Sequence, residues 1–128
     1  MYRNLTIISV LGALGVILGA FGAHALKSKL SPEALQSFET AVRYQFLHVF
    51  VLLFVNMFNE FNLKQKNRIS FLFIAGIVLF SGSIYAIELA EVPAKNIWFV
   101  TPLGGVLLIT GWSVMAFEFI KKLSNKKN

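Results

Sequence analysis

Apolar residues gather in four long runs, at about residues 5–26, 41–58, 69–90 and 98–120, separated by three short polar stretches. Each run is close to the ~20 residues that a helix needs, at ~1.5 Å per residue, to cross a hydrocarbon layer of ~30 Å. A helix on the surface of a soluble bundle would carry one apolar stripe and one charged face. Residues 7–21 and 69–85 carry no charge on any face. The pattern therefore predicts an all-α fold, a four-helix transmembrane bundle forming a single integral membrane domain over residues 1–128.

The connections carry helix punctuation. Ser31-Pro32-Glu33 offers a capping hydroxyl, a proline suited to the first turn and a carboxylate that opposes the helix dipole. The second helix is thus expected to start near Pro32, outside the membrane, and to enter it around Ala41. On that exposed turn Glu39 and Arg43 stand at i,i+4, the order that favours an ion pair. The second connection, residues 60–68, is polar and basic; the third, residues 91–97, contains Pro93 and Asn96. Pro102 suits the first turn of the fourth helix. Ala23-His24-Ala25 imitates a signal-peptidase site, but the preceding apolar run exceeds the 7–15 residues of a signal sequence and three more runs follow, so the first helix is read as retained.

Composition sharpens the picture. The chain is 56% hydrophobic and 14% charged, where soluble domains are nearer 45–50% and about 25%. All six acidic residues are Glu, and there is no Cys. Disulfides, thiolate metal sites and thiol nucleophiles are thereby excluded. No phosphate-binding loop, GxSxG, HExxH or Rossmann glycine pattern occurs, so no catalytic residue, metal site or cofactor is assigned.

A net charge of +6 would suit nucleic acid, but its distribution suits a bilayer better. Eight basic residues (Arg3, Lys64, Lys66, Arg68, Lys121, Lys122, Lys126, Lys127) fall on one side of the four-span topology, and four (Lys27, Lys29, Arg43, Lys95) on the other. The positive-inside rule then places both termini in the cytoplasm and the protein in the cell (inner) membrane. Its basic tail would meet anionic headgroups, and nucleic acid is not expected as a partner.

The helix faces supply the candidate chemistry. Gly12, Gly15, Gly19 and Gly22 form one stripe on the first helix, where missing side chains let backbones approach. That stripe serves either a homo-oligomer contact or packing against a helix of the same chain. His24 falls roughly opposite it. The second helix carries Gln45, His48, Leu52, Asn56 and Asn59 on one face, with Tyr44 one turn before His48. Arg43 points away from that face, toward the headgroups or Glu39. Ser81, Tyr85 and Glu88 share a face of the third helix; Thr101, Gly104, Leu108, Gly111, Met115 and Glu118 share one of the fourth. Glu118, within a turn of Lys121 and Lys122, reads as a solvated charge at the interface.

With the termini inside, His24, Tyr44, Gln45, His48, Tyr85, Glu88 and Thr101 fall in the outer half of the membrane. Ionisable groups there are candidates for function. The two His could coordinate one metal or haem; a His–polar cluster also serves as interhelical hydrogen bonding.

Several segments resemble a known family. Gly12-Ala13-Leu14-Gly15 with Gly19-Ala20-Phe21-Gly22-Ala23-His24-Ala25-Leu26 is similar to the opening of the domain-of-unknown-function 423 family of small inner-membrane proteins, which has a related mitochondrial transmembrane protein. Further similar segments are Thr40-Ala41-Val42-Arg43-Tyr44-Gln45 with His48, Ser81-Gly82-Ser83-Ile84-Tyr85, and Thr101-Pro102-Leu103-Gly104-Gly105 with Gly111-Trp112. The resemblance implies a four-helix integral membrane protein and no established activity. It highlights His24, Tyr44, Gln45, His48, Ser81, Tyr85, Thr101 and Pro102, whereas Glu88 departs from the family pattern.

The expected function is non-enzymatic, exerted through contacts with lipid or another membrane protein, with a homo-oligomer as one form. The alternative is a small-ligand binding or transport module. In it His48 and Gln45 contact the ligand, His24 assists, and Tyr44, Tyr85 and Thr101 shape a polar cavity open to the outer leaflet.

Overall fold

The structure, a computed structural model, describes residues 1–126; Lys127 of the basic tail lies outside them. Four long helices make up the described chain: α1 (Tyr2–Ala23), α2 (Pro32–Met57), α3 (Leu63–Leu89) and α4 (Val100–Lys126), with a 3-10 turn at Ala94–Asn96 before α4. All four are long and apolar enough to cross a membrane. No strand occurs among the described residues.

The ends of the helices follow local chemistry. Ser31 Oγ accepts from the Ala34 N–H at 3.2 Å, with Pro32 opening α2. At the start of α3, Asn62 and Gln65 cap each other reciprocally, each side-chain oxygen accepting the other's backbone N–H at 2.9 Å. This capping box makes Lys64, Lys66 and Arg68 part of α3, although the sequence places them in a polar connection. α1 in turn ends at Ala23, so His24 lies beyond the helix rather than on its far face. The expected Glu39–Arg43 ion pair does not form; the ion pairs among the described residues are Arg68–Glu118 and Lys122–Glu60. Both side chains stay exposed, where such a pair has little to gain.

α2 and α3 share the centre. In their apolar segments 39% of positions are buried, against 28% in α4 and 17% in α1. The extensive contacts run α1 to α2, α2 to α3 and α3 to α4, while α1 and α4 have no extensive contact with each other. Ile8 of α1, Leu52 and Val55 of α2, Ile69 and Phe73 of α3, and Leu108 and Met115 of α4 form one continuous core. α3 and α4 come close enough at Gly104 for it to meet the Phe80 backbone, and Gly76 and Gly111 leave room for Leu108 and Phe73. The buried residues of α4 are Gly104, Leu108, Gly111, Met115 and Glu118, the stripe visible in the sequence.

The glycine stripe of α1 faces its own chain. A Cβ at Gly15 would come within 2.9 Å of the Phe46 ring, and one at Gly22 within 2.8 Å of Phe38. Gly12 and Gly19 lie over Val49 and Val42 at ordinary contact distance. α2 therefore occupies the surface that the sequence also offers to a second copy.

The chain ends lie on one side of the bundle. There Asn4 near the start of α1 reaches Asn67 near the start of α3, and Glu118 near the end of α4 reaches Gln65 and Arg68. This end is the terminal side of the bundle, and the end with His24 and Pro93 is the far side.

Candidate functional site

The polar residues of the far half do not form one cluster. They separate into pairs on different sides of the central α2–α3 unit. The first pair joins three helices: Gln45 Nε2 donates to the Leu11 carbonyl of α1 at 2.6 Å, and the Tyr85 hydroxyl donates to Gln45 Oε1 at 2.7 Å. Phe38 stacks obliquely on the Tyr85 ring at 5.4 Å between centroids. One turn away on α3, Ser81 Oγ donates to the Ala41 carbonyl at 2.7 Å. Gln45 and Ser81 are buried, and their bonds replace those that water would give.

His48 belongs to the α4 side. Its Nδ1 lies 2.7 Å from the Tyr44 carbonyl oxygen and its Nε2 lies 3.2 Å from Trp112 Nε1. A carbonyl only accepts and an indole N–H only donates. These partners select the Nδ1–H tautomer, with Nε2 accepting from the indole. Phe73 packs against the same imidazole at 5.4 Å. Tyr44 is turned outward and leans on Phe80, with ring centroids 4.8 Å apart. A cavity of about 330 Å³ beside His48 is lined mainly by Leu47, Phe80, Leu108, Ile109 and Trp112.

Thr101 and His24 are separate again. Thr101 Oγ1 shares a hydrogen bond with Ser83 Oγ at 2.5 Å, joining α3 to α4. His24 is exposed beyond the end of α1, whereas His48 is buried between α2, α3 and α4. The structure does not bring the two His together, so a shared metal or haem between them has no geometric basis. Among the described residues, no three His, Cys, Asp or Glu side chains gather as a metal-ligand set.

The most polar concavity lies at the far end, between α2, α3 and the start of α4. It has a volume of about 470 Å³, and Gln36, Ser37, Thr40, Glu88 and Thr101 are among the residues that line it. Of the residues assigned to the predicted ligand pocket only Thr101 contributes to it, together with Glu88, which the sequence placed at the same level without a role in that pocket. Gln45, His48 and Tyr85 do not.

A second polar network, on the terminal side, is absent from the sequence reading except for Asn56. Asn56 is fully buried; it accepts from Asn4 Nδ2 at 3.1 Å and donates to Ser70 Oγ at 2.8 Å and to the Leu52 carbonyl at 2.9 Å. Asn4 Nδ2 also donates to Asn67 Oδ1 at 2.9 Å. Buried Lys66 donates to the Asn56 carbonyl at 2.8 Å, a cation on the negative end of α2. Glu118 belongs to this end and is a correction to the sequence reading. It is buried, accepts from Gln65 Nε2 at 2.6 Å and pairs with Arg68. The signal was its place on the Gly111–Met115 face, which proximity to Lys121 and Lys122 obscured. Asn59, by contrast, is exposed past the end of α2.

Among the described residues, every buried side-chain nitrogen and oxygen has a hydrogen-bond partner within the chain. Residues 18–105 match the family model described as "Protein of unknown function (DUF423)". The UPF0382 membrane protein SAB0533 of Staphylococcus aureus is 37% identical over 116 residues, covering 88% of this chain and 93% of the relative. YwdK of Bacillus subtilis, also named a UPF0382 membrane protein, is 36% identical over 121 residues, covering 89% and 96%. The UPF0382 inner membrane protein YgdD of Escherichia coli is 34% identical over 115 residues, covering 88% and 86%. No solved structure matches.

Proposed function

The chain belongs to the DUF423 family, as a multi-pass protein of the cell (inner) membrane, and from that premise we propose that it acts without catalysis, through lateral contacts with lipid or another membrane protein. One observation carries this reading: the buried polar atoms among the described residues are all engaged within the chain. Groups that act on a substrate need open valences toward it; Gln45 and Tyr85 direct theirs at neighbouring helices, and His48 at its own backbone and at Trp112 of α4. What the fold leaves uncommitted is its outer surface, above all on α1, where only 17% of positions are buried. Thr6 and Ser9 lie on that surface with their hydroxyls donating to the Tyr2 and Leu5 carbonyls, so lipid meets no bare donor there.

Photo-crosslinking residues placed in turn at Ala13, Ala20, Thr110 and Ser113, all exposed, test the reading in native membranes. Adducts of defined mass at some positions and not at others are expected. Monomer at every position, or indiscriminate adducts at all of them, would overturn it.

The far-end cavity supports a second reading, a small-ligand binding module, because Glu88 lines it without an ion-pair partner among the described residues. Native mass spectrometry of the purified chain separates the two. A stoichiometric extra mass that is lost in Glu88→Gln and kept in His48→Ala would favour the ligand reading.

A further inference from the structure

α1 and α3 touch lightly, and a crevice runs between them toward the terminal side. At its terminal end a cavity of about 220 Å³ is lined by Arg3, Asn4, Asn67, Ile7, Phe71 and Ile74. Farther along the same two helices lies a second, separate cavity of about 180 Å³, lined mainly by Leu11, Leu14 and Leu18 of α1 and Ile77 and Val78 of α3. The crevice is therefore polar at its mouth and apolar along its length. We propose that it binds an anionic phospholipid from the leaflet on the terminal side. The phosphate would sit on Arg3 and Asn67, and an acyl chain would lie along Ile7 and Ile74 toward Leu18.

Three features fit this occupant. The first is charge. Arg3 is exposed and has no ion-pair partner among the described residues, and no acidic side chain lines the crevice. α1 also begins without a side-chain cap or an acidic residue in its first turn, so its positive end is left to whatever anion lies beside it.

The second is the orientation of Asn67. Asn4 Nδ2 donates to Asn67 Oδ1 at 2.9 Å, which engages the oxygen of that amide and leaves its NH₂ as a donor. The network that fixes Asn56 thereby fixes a phosphate donor beside Arg3.

The third is depth. From Ile7 to Leu18 the apolar floor rises about 16 Å at ~1.5 Å per residue, close to the ~15 Å of one hydrocarbon leaflet. Where the floor includes Gln45, Ser81 and Tyr85, each of their side-chain polar atoms already has a hydrogen-bond partner within the chain. Basic pockets between helices are a recurrent way of holding lipid headgroups.

This inference rests on the lateral-contact reading and names one partner for it. The full chain in mild detergent is titrated separately with phosphatidylglycerol and phosphatidylcholine and followed by native mass spectrometry. Phosphatidylglycerol is expected to bind more tightly, and Arg3→Gln to weaken it by about fivefold. Asn67→Asp keeps the acceptor that Asn4 needs and replaces the NH₂ by an anionic oxygen, so it should weaken binding at least as much. Should Asn67→Asp fail to fold, Ile74→Trp, which fills the groove, replaces it with the same expectation. Lys121→Gln removes an equal charge from α4 and should leave the preference unchanged. Equal binding of the two lipids by the wild type, or equal losses in Lys121→Gln and Arg3→Gln, would overturn the proposal. Position-specific protein adducts in the crosslinking experiment would then leave the broader reading standing, so the two can fail separately.

Discussion

Asn56 shows how much one polar side chain can organise inside a lipid-facing fold. It is bonded to Asn4 of α1, Ser70 of α3 and its own helix at Leu52, at a depth where water is not at hand to replace those bonds. Asn56→Leu preserves volume and leaves Asn4 and Ser70 short of a partner, so a loss of about 1–3 kcal/mol is expected in unfolding from mild detergent. Ser83→Ala removes one hydroxyl pair at the edge of the far cavity and should cost about 0.6 kcal/mol. Equal losses in the two variants would show that the Asn56 network is not specially stabilising. At this scale the sequence was informative about which residues are polar and deep, and poor about whom they meet. Gln45 and His48 stand on one helical face, yet Gln45 bonds toward α1 and α3 while His48 bonds toward α4. A helical wheel gives a direction from one axis; it does not say which neighbour fills that direction. His24 went astray for a simpler reason, because the helical period was continued past Ala23, where the helix stops.

Between elements, the determining quantity is how near two backbones come. At Gly104 a Cβ would collide with the Phe80 backbone, which cannot move without shifting α3. At Gly82, two residues farther along α3 and on the side of the α1–α3 cavity, a Cβ would meet nothing within 4 Å. Gly104→Ala should therefore cost about 1–3 kcal/mol or more, and Gly82→Ala should stay within about 0.5 kcal/mol of wild type in the same unfolding assay. The α1 stripe should divide in the same way. Gly15→Ala and Gly22→Ala press on Phe46 and Phe38 and should destabilise, whereas Gly12→Ala and Gly19→Ala should be tolerated. A sequence shows that small residues recur on a face, and so the packing face of α4 was legible except for the burial of Glu118 at its end. It does not show whether the body packed there belongs to the same chain. For α1 the answer came from Phe38 and Phe46, two of thirteen Phe in the sequence and not distinguishable there from lipid-facing ones.

For the whole molecule, four uncharged or nearly uncharged spans made the architecture readable, because few other structures can hold such segments in water or lipid. The ordering of the helices, with α2 and α3 central and α1 and α4 apart, needed coordinates. So did the terminal-side polar network, whose members come from both ends of the sequence. The fold places the two chain ends on one side, and the charge bias suggests which side: Arg3, Lys64, Lys66, Arg68 and the lysines of α4 lie there, against Lys27, Lys29, Arg43 and Lys95 on the other. Lys66 and Arg68 are partly engaged within the bundle but still count as flanking cations, so the described residues give seven basic side chains on the terminal side against four on the other. That terminal side is accordingly expected to be cytoplasmic. The absence of Cys makes the test direct, since a single introduced thiol is the only one in the chain. Ser28→Cys lies in the exposed connection after α1, and Ser124→Cys on the exposed last turn of α4. In intact cells a membrane-impermeant maleimide should label Ser28→Cys and spare Ser124→Cys, which should react only after permeabilisation. The opposite pattern would put the termini outside and the Arg3 crevice in the outer leaflet. Labelling of both positions in intact cells would contradict the up-and-down arrangement itself, because an even number of crossings would then separate residues that the fold sets apart by three helices.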